Sequence, residues 1–502
     1  MKISTTARIG SLLLALLLLL GSCASKPEET PQGTSAEPAP ETTADSGEDA
    51  DGIDFSALSF IDRVKYANAA VSDNLPENDY GGKTLLVYGV TMPFPDEMNG
   101  ELVNDAQYAQ KLAVEDRFNV EIRYNKSEFT DWDQYVNSVR GFFMAGDHFT
   151  DLMINWNTST AGFVVQGFFE DLSKYEVIDT TKPWYFGDEM ELYGYNGHEY
   201  VATGMMEATV MMEGVSAVFF NKKIRTDYGL DDFYTVVREG RWTLDYVKSV
   251  TADFYYDLNG NTQKDDDDLY GLSYARAASW MVTPATLGIP QISKDDEGNP
   301  TLTVVSNAER AETLMDSMKE LTESDGARSV SDWGTEQFDS GHALFTAYSL
   351  SKLTTMRDGE VDYGILPTWK ADEAQEAYYA SYLPYPWAIA ACAEDKDMCA
   401  VLMTAIAAEG FKQVLPAYYE NAIKSKYSTD EESGEMLDLM LQNVRSDGMF
   451  IYGDSSYIYN LWQYMTSNQG FGSYWKAKAK MLQKTLESTA EKMAALAEMS
   501  GD

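Results

Sequence analysis

Short apolar runs alternate with amphipathic stretches along the chain, and their spacing predicts strands and helices in turn. Thr84 to Val90 (TLLVYGV) is an unbroken apolar run between Gly81-Gly82 and the Pro93-Phe94-Pro95 turn, the pattern of a buried strand. Asn104 or Asp105 then caps a helix to about Phe118, with Ala106, Ala109, Leu112 and Ala113 on one face. Val120, Ile122 and Tyr124 alternate as a second strand. The aromatic-rich stretch DWDQYVNSVRGFFMA predicts a helix ending at Gly146, and Asp151 to Ile154 a buried strand. Asn155-Trp156-Asn157 forms the loop at its C-terminal end, and a helix leads on to Asp171–Tyr175. Val215 to Phe220 is a further strand. Strand and helix alternating in this way mean an α/β fold with a largely parallel sheet. Such sheets bind ligands outside the carboxyl ends of their strands, where Asn155 and Trp156 fall.

The first residues follow another pattern. Lys2 and Arg8 precede an apolar run from Leu12 to Leu20, which ends in Gly21-Ser22-Cys23. The run is shorter than the roughly 20 residues that span a bilayer, and its cationic start and small residues predict a secretory signal over 1–22. The Leu-Gly-Ser-Cys sequence resembles the lipobox of bacterial lipoproteins, which implies acylation of Cys23 and an address outside the cytoplasmic membrane. Residues 23–54 are rich in Pro, Ser, Thr, Glu, Gly and Asp, and bury too little apolar surface to offset ordering entropy, so they read as a disordered acidic spacer. The remainder exceeds the ~250–300 residues that one core serves, and two lobes are expected.

With 80 acidic and 38 basic residues the net charge is -42, which excludes nucleic acid as a partner and disfavours adhesion to anionic lipid. Cys392 and Cys399 form an even pair in an oxidising location; they could bridge, or Cys399 could pack in the apolar helical stretch it opens.

Seven segments, in order, carry a family resemblance: AGDHFTDLMI, GFFEDLSKY, FFNKKIRTDYGL, GRWTLDYVKSV, FDSGHALFTAYSLSKL, DYGILP and AAEGFKQVLPAYYE. Together they resemble the family 1, maltose-binding-protein-like solute-binding proteins of bacterial carbohydrate ABC importers. The resemblance implies a type II periplasmic-binding-protein-like fold, two discontinuous α/β lobes joined by crossing segments with ligand between them. On this reading 80–210 with 343–391 forms lobe 1 and 211–342 with 392–502 forms lobe 2. It further implies a monomeric, non-enzymatic receptor that delivers an (oligo)saccharide to separate permease subunits, held at the extracellular face of the membrane through Cys23.

Sugars present apolar C–H faces and a ring of hydroxyls, so their sites combine flat aromatics with amides and carboxylates. Trp156 with Asn155 lies at a strand end. Trp280 lies in ARAASWMVTPATLG, similar to the segment that supplies a stacking Trp in maltose-binding relatives. Tyr348 follows ALFTA, where the family's strand re-enters the first lobe; Trp387 precedes a final strand, and Asp105 starts a helix facing the first strand's end. Trp242 is assigned to the core, and Trp333 and Trp369 to surface or lobe packing.

Residues 257–268 (DLNGNTQKDDDD) match the twelve-residue calcium loop, whose ligand positions hold Asp257, Asn259, Asn261, Gln263 through its carbonyl, Asp265 and Asp268. Thr262 replaces the sixth-position Gly and Asp268 the twelfth-position Glu. Asp at that place resembles dockerin-type loops, and a structural Ca²⁺ is expected. A bland solvated acidic turn is the alternative.

A secreted glycosidase with two carboxylates is the rival function. No Gly-x-Ser-x-Gly or His-Glu-x-x-His motif occurs, and the three histidines lie in separate segments. A binding protein for a peptide, polyamine or metal is a further alternative, and the aromatic supply favours carbohydrate.

Overall fold

The computed structural model describes residues 53, 55, 58–67, 71–129, 131–275, 288, 290–303, 307–329, 335–356, 359–419, 430–452, 464 and 469–500. Cys23, the signal segment, nearly all of the spacer, Trp280 and Trp333 lie outside them.

A short helix, α1 (Phe60–Lys65), precedes the first sheet and is capped by Ser59. That sheet has four strands in the order β13 (Trp387–Ile389), β3 (Leu152–Ile154), β1 (Lys83–Gly89), β2 (Val120–Lys126). Strands β1, β2 and β3 are mutually parallel where they pair. The crossovers are α2 (Leu102–Phe118) and α3 (Trp132–Ala145). Helix α2 starts a little before the expected cap: Glu101 is the capping position and its side chain makes no cap bond. Asp105 lies in the first turn instead, where Oδ1 accepts the amides of Asn99 (3.0 Å) and Gly100 (3.1 Å) and folds the preceding loop. Helix α3 begins with the Asp131 carboxylate on the Gln134 amide (3.0 Å) and stops at Gly146, whose φ of 72° ends the helix.

After β3 come α4 (Thr160–Val164), α5 (Gly187–Tyr193) and α6 (Ala208–Gly214), and then the second sheet. Its path is β11-β4-β10-β6-β5, with β9 (Ala327–Arg328) on β6. The strands are β4 (Ser216–Asn221), β5 (Tyr255–Tyr256), β6 (Leu269–Tyr274), β10 (Ala343–Ser349) and β11 (Tyr363–Leu366). Two small pairings complete the sheets, β7 (Ile292–Lys294) with β8 (Pro300–Leu302) and β12 (Ala380–Ser381) with β14 (Val444–Arg445).

The expected return to the first lobe at 343 is corrected here. Strand β10 lies between β4 and β6, antiparallel to one and parallel to the other. Leu344 and Phe345 point to opposite faces and both are buried, as a central strand requires. The first sheet is completed only by β13 (Trp387–Ile389), antiparallel to β3. The segment from 392 onward also divides between the sheets. Helix Lys396–Glu409 packs on α2 and on residues 205–207, and Gln110 of α2 donates to the Ile406 carbonyl (2.8 Å). Helix Glu431–Leu441 packs on β11, where Ser433 Oγ accepts the Ile365 amide (3.2 Å). Helix Phe471–Ser500 packs against β8 and helix Ala308–Glu323.

Three apolar clusters result. One runs from Leu85, Val87 and Ile122 of the first sheet to Phe219 and Ile365 of the second. A second covers the opposite face of the first sheet, with Tyr88, Met153 and Phe163 against Phe450, Trp475 and Leu482. The third holds Val218, Phe220, Phe345 and Trp242, whose indole donates to the Pro367 carbonyl (2.8 Å). Trp369 belongs to this third cluster and is buried. The apolar helix Lys396–Tyr419 has membrane-spanning length and composition, but 83% of its most apolar window is buried in the fold. Cys392 and Cys399 are free; the Cys392 thiol faces the Thr150 carbonyl (3.5 Å) and Cys399 is buried, so they form no bridge.

Candidate ligand-binding site

The carboxyl ends of β1 and β3 meet the start of β13, and this junction gathers three of the expected residues. Gly89 allows the approach, because a Cβ there would collide with the Ile154 side chain. Trp387 pairs with Ile154 across the ladder. Asn155 is fully buried, and its main-chain N–H (2.9 Å) and Nδ2 (3.1 Å) both donate to the Pro386 carbonyl. Its Oδ1 is buried without a partner among the described residues. Trp156 follows, half-buried, at the start of the 3₁₀ turn Asn157–Ser159, with its ring 6.1 Å from that of Tyr135.

Trp387 is only 1% exposed. Its main chain exchanges two hydrogen bonds with Ala202 (2.8 and 2.7 Å), and its indole N–H is buried without a partner among the described residues. Tyr348 comes from the second sheet, opposite Ala217 of β4, yet its half-buried ring packs on the cluster that holds Trp156. Burial raises its hydroxyl pKa. Asp105 remains with its own loop, bonded to Asn99 and Gly100, and no contact joins it to these residues among those described.

Glu207 was not anticipated. It ends the 3₁₀ turn Met205–Glu207, is 7% exposed, and accepts a hydrogen bond from Thr91, two residues beyond β1. Its Oε2 has no partner among the described residues, and burial pushes the carboxyl pKa up to about 8. Tyr385, half-buried, is raised to about 12 by desolvation and then by the Glu207 charge. Glu207, Tyr385, Trp387 and Thr203 line a gap of about 20 Å³, room for a single water. The only sequence signal was one carboxylate in a methionine-rich run, GMMEATVMM. Glu207 Oε2, the Trp387 indole N–H and Asn155 Oδ1 are each buried without a partner among the described residues, and the first two line the same gap, an acceptor and a donor for one polar neutral group. A larger cavity lies elsewhere and is lined by none of the expected residues.

The acidic loop closes on itself. Asp257 accepts the amides of Gly260 (2.7 Å) and Thr262 (2.8 Å), and the Asn259 and Asn261 amides donate to Asp265, which lowers its carboxyl pKa. Asp268 is buried and accepts from Leu258 N–H (3.2 Å), Asp265 N–H (3.1 Å) and the Tyr255 hydroxyl (2.9 Å). Thr262 adopts φ 62°, the left-handed turn that the sixth position of a calcium loop requires. Among the described residues no three His, Cys, Asp or Glu side chains converge as a metal cluster. The donors present are carboxylate, amide and main-chain oxygens, the types a hard cation takes.

No protein-family model matches the chain, and no curated protein matches it. Solved structures do. The galacto-N-biose-/lacto-N-biose I-binding protein of an ABC transporter from Bifidobacterium longum, in complex with lacto-N-biose, aligns with 83% of this chain and 99% of its own at TM-score 0.55 and 13% identity. The GacH receptor of Streptomyces glaucescens, solved unliganded and with acarbose, aligns with 81% of this chain and 99% of its own at TM-score 0.54 and 13% identity. The maltose/maltodextrin-binding domain MalE of Bdellovibrio bacteriovorus, bound to maltotriose, aligns with 81% of this chain and 100% of its own at TM-score 0.51 and 12% identity. The chain therefore has the two-lobed, periplasmic-binding-protein-like α/β fold. These three likenesses, each spanning nearly all of the solved protein, are to binding proteins rather than to enzymes.

Proposed function

We propose that this protein is the substrate-binding component of a carbohydrate ABC importer, capturing an (oligo)saccharide at the strand ends and delivering it to the permease. The observation that carries the reading is the half-buried Trp156 ring at the end of β3, with Asn155 Oδ1, the Trp387 indole N–H and Glu207 Oε2 each buried without a partner among the described residues. One sugar hydroxyl in the place of the single water that the gap holds would reach Glu207 and Trp387, and the Trp156 ring would cover a C–H face. The solved relatives named above bind sugars of this kind. Trp280, Tyr348 and Asp105 are kept as further candidate contacts.

Acylation of Cys23 would hold the receptor at the extracellular face, with the acidic spacer between lipid and fold. A Ca²⁺ held by Asp257, Asn259, Asn261, Gln263, Asp265 and Asp268 would brace the loop of the second sheet; the left-handed Thr262 supports this. Calorimetric titration with a glycan panel tests the function. Saturable binding of at least one glycan without turnover is expected, and hydrolysis of any panel member would instead favour the glycosidase.

A further inference from the structure

A cavity of about 390 Å³ is bounded by α1, α5 and the segments around β12 and β14. Small-molecule sites span roughly 300–1,000 Å³, so it is large enough for a sugar ring. Phe186, Met211 and Tyr382 line both this cavity and the gap beside Trp387 and Glu207, so the two spaces share one wall.

Its chemistry is aromatic, and its buried charged groups are hydrogen-bonded. Phe60 and Phe186 meet edge to face at 6.5 Å, and Phe186 and Tyr382 at 6.1 Å, giving a corner of three rings. The buried charges on the wall are already answered. Arg63, 6% exposed, donates to the carbonyls of Tyr185 (2.6 Å), Pro183 (3.4 Å) and Leu58 (3.4 Å) and lies over the Phe186 ring. Asp447 accepts the amides of Gln291 (2.7 Å), Met449 (2.9 Å) and Ile292 (3.1 Å). Glu189 accepts the Tyr382 hydroxyl. An ionic ligand would lose its hydration and gain no uncompensated counter-charge. A neutral ring with hydroxyls gains the aromatic corner and meets polar groups at the open mouth. There Gln442 and Asp188 are exposed, and the Arg445 guanidinium sits 3.5 Å over the Tyr379 ring.

We propose that this cavity is a second binding site, for a neutral polyhydroxylated monosaccharide or one ring of a disaccharide. It needs nothing from the strand-end residues, and its test separates the two. The full chain, labelled at isoleucine δ1 methyls and tryptophan indoles, is titrated with glucose, galactose, mannose and maltose and followed by NMR. Ile292 lines this cavity and not the gap at Trp387, and Trp156 reports on the strand ends. At least one sugar is expected to shift the Ile292 methyl saturably. The doubly substituted Gln442→Leu/Arg445→Met protein, altered only at exposed side chains, should bind there at least tenfold more weakly with its Trp156 response retained. Glucosamine and glucuronate should shift Ile292 at least tenfold more weakly than the neutral sugars. An Ile292 methyl silent to all four sugars overturns the site, as does an undiminished response in the double variant or equal binding of the charged sugars. In each case the Trp156 signal still reports on the strand-end reading.

Discussion

Asn155 grips the carbonyl of Pro386 twice, once through its backbone and once through its side chain, across 231 residues of sequence. The residue expected as a sugar contact is thereby also the pin between β3 and the segment that enters β13. Asn155→Ala removes the side-chain half of that grip in a buried setting. A loss of about 1–3 kcal/mol is expected. Urea denaturation measures it, and an unchanged midpoint would show that the backbone bond suffices.

Trp156 and Trp387 should separate affinity from stability. Trp387 is essentially buried, and its truncation to Ala should cost about 3–5 kcal/mol. Trp156 is half-buried, so Trp156→Ala should leave a folded protein whose glycan affinity falls at least tenfold. Thermal melting and calorimetry on both variants check this. Equal affinity in Trp156→Ala would remove the ring from the site.

Glu207 gives stability a pH signature. Its folded pKa of about 8 exceeds the ordinary 4.5, so the folded state holds a proton that the unfolded state has released. Its contribution is therefore complete below pH 4.5 and falls as pH rises to about 8, by up to about 1.4 kcal/mol per pH unit for one proton. Glu189 and Asp447 are raised in the same sense, to about 7 and about 6, so the comparison must be a difference. Glu207→Gln should gain on the parent protein as pH climbs from 5 to 8. Parallel stability curves would sink the assignment.

The acidic loop allows two measurements. Thr262 is β-branched at φ 62°, a conformation that costs L-residues about 1–2 kcal/mol. Thr262→Gly should stabilise the fold by about 1 kcal/mol once glycine's own entropy is counted. Chelation by EDTA should lower the melting temperature of the parent protein and leave Asp257→Ala unaffected. A melting temperature indifferent to EDTA would return the loop to a solvated turn held by its own hydrogen bonds.

What was legible in the sequence was local. The β1-α2-β2-α3-β3 order follows from clear periodicity and from Gly81-Gly82 and Gly146, which punctuate it. Trp242 was recognisable as core and is. The start of α2 was not, because Glu101 caps with its backbone alone and leaves Asp105 to bind the loop. Nor was the sheet that β10 joins. ALFTA announces a strand covered on both faces, but its partners, β4 and β6, are chosen by packing far away in sequence. Glu207 was hidden for a related reason: one acidic residue in an apolar run has meaning only when Thr91, Tyr385 and Trp387 surround it.

The late arrival of β13 sets an order of assembly. Until Trp387–Ile389 is available, β3 is an edge of the first sheet, with N–H and C=O groups open to any passing strand. Newly made chain must therefore be kept from aggregating, or kept unfolded, until nearly four-fifths of it has emerged (residue 387 of 502). Pairing with β13 closes the β3 side of the sheet, and β2 remains its other border.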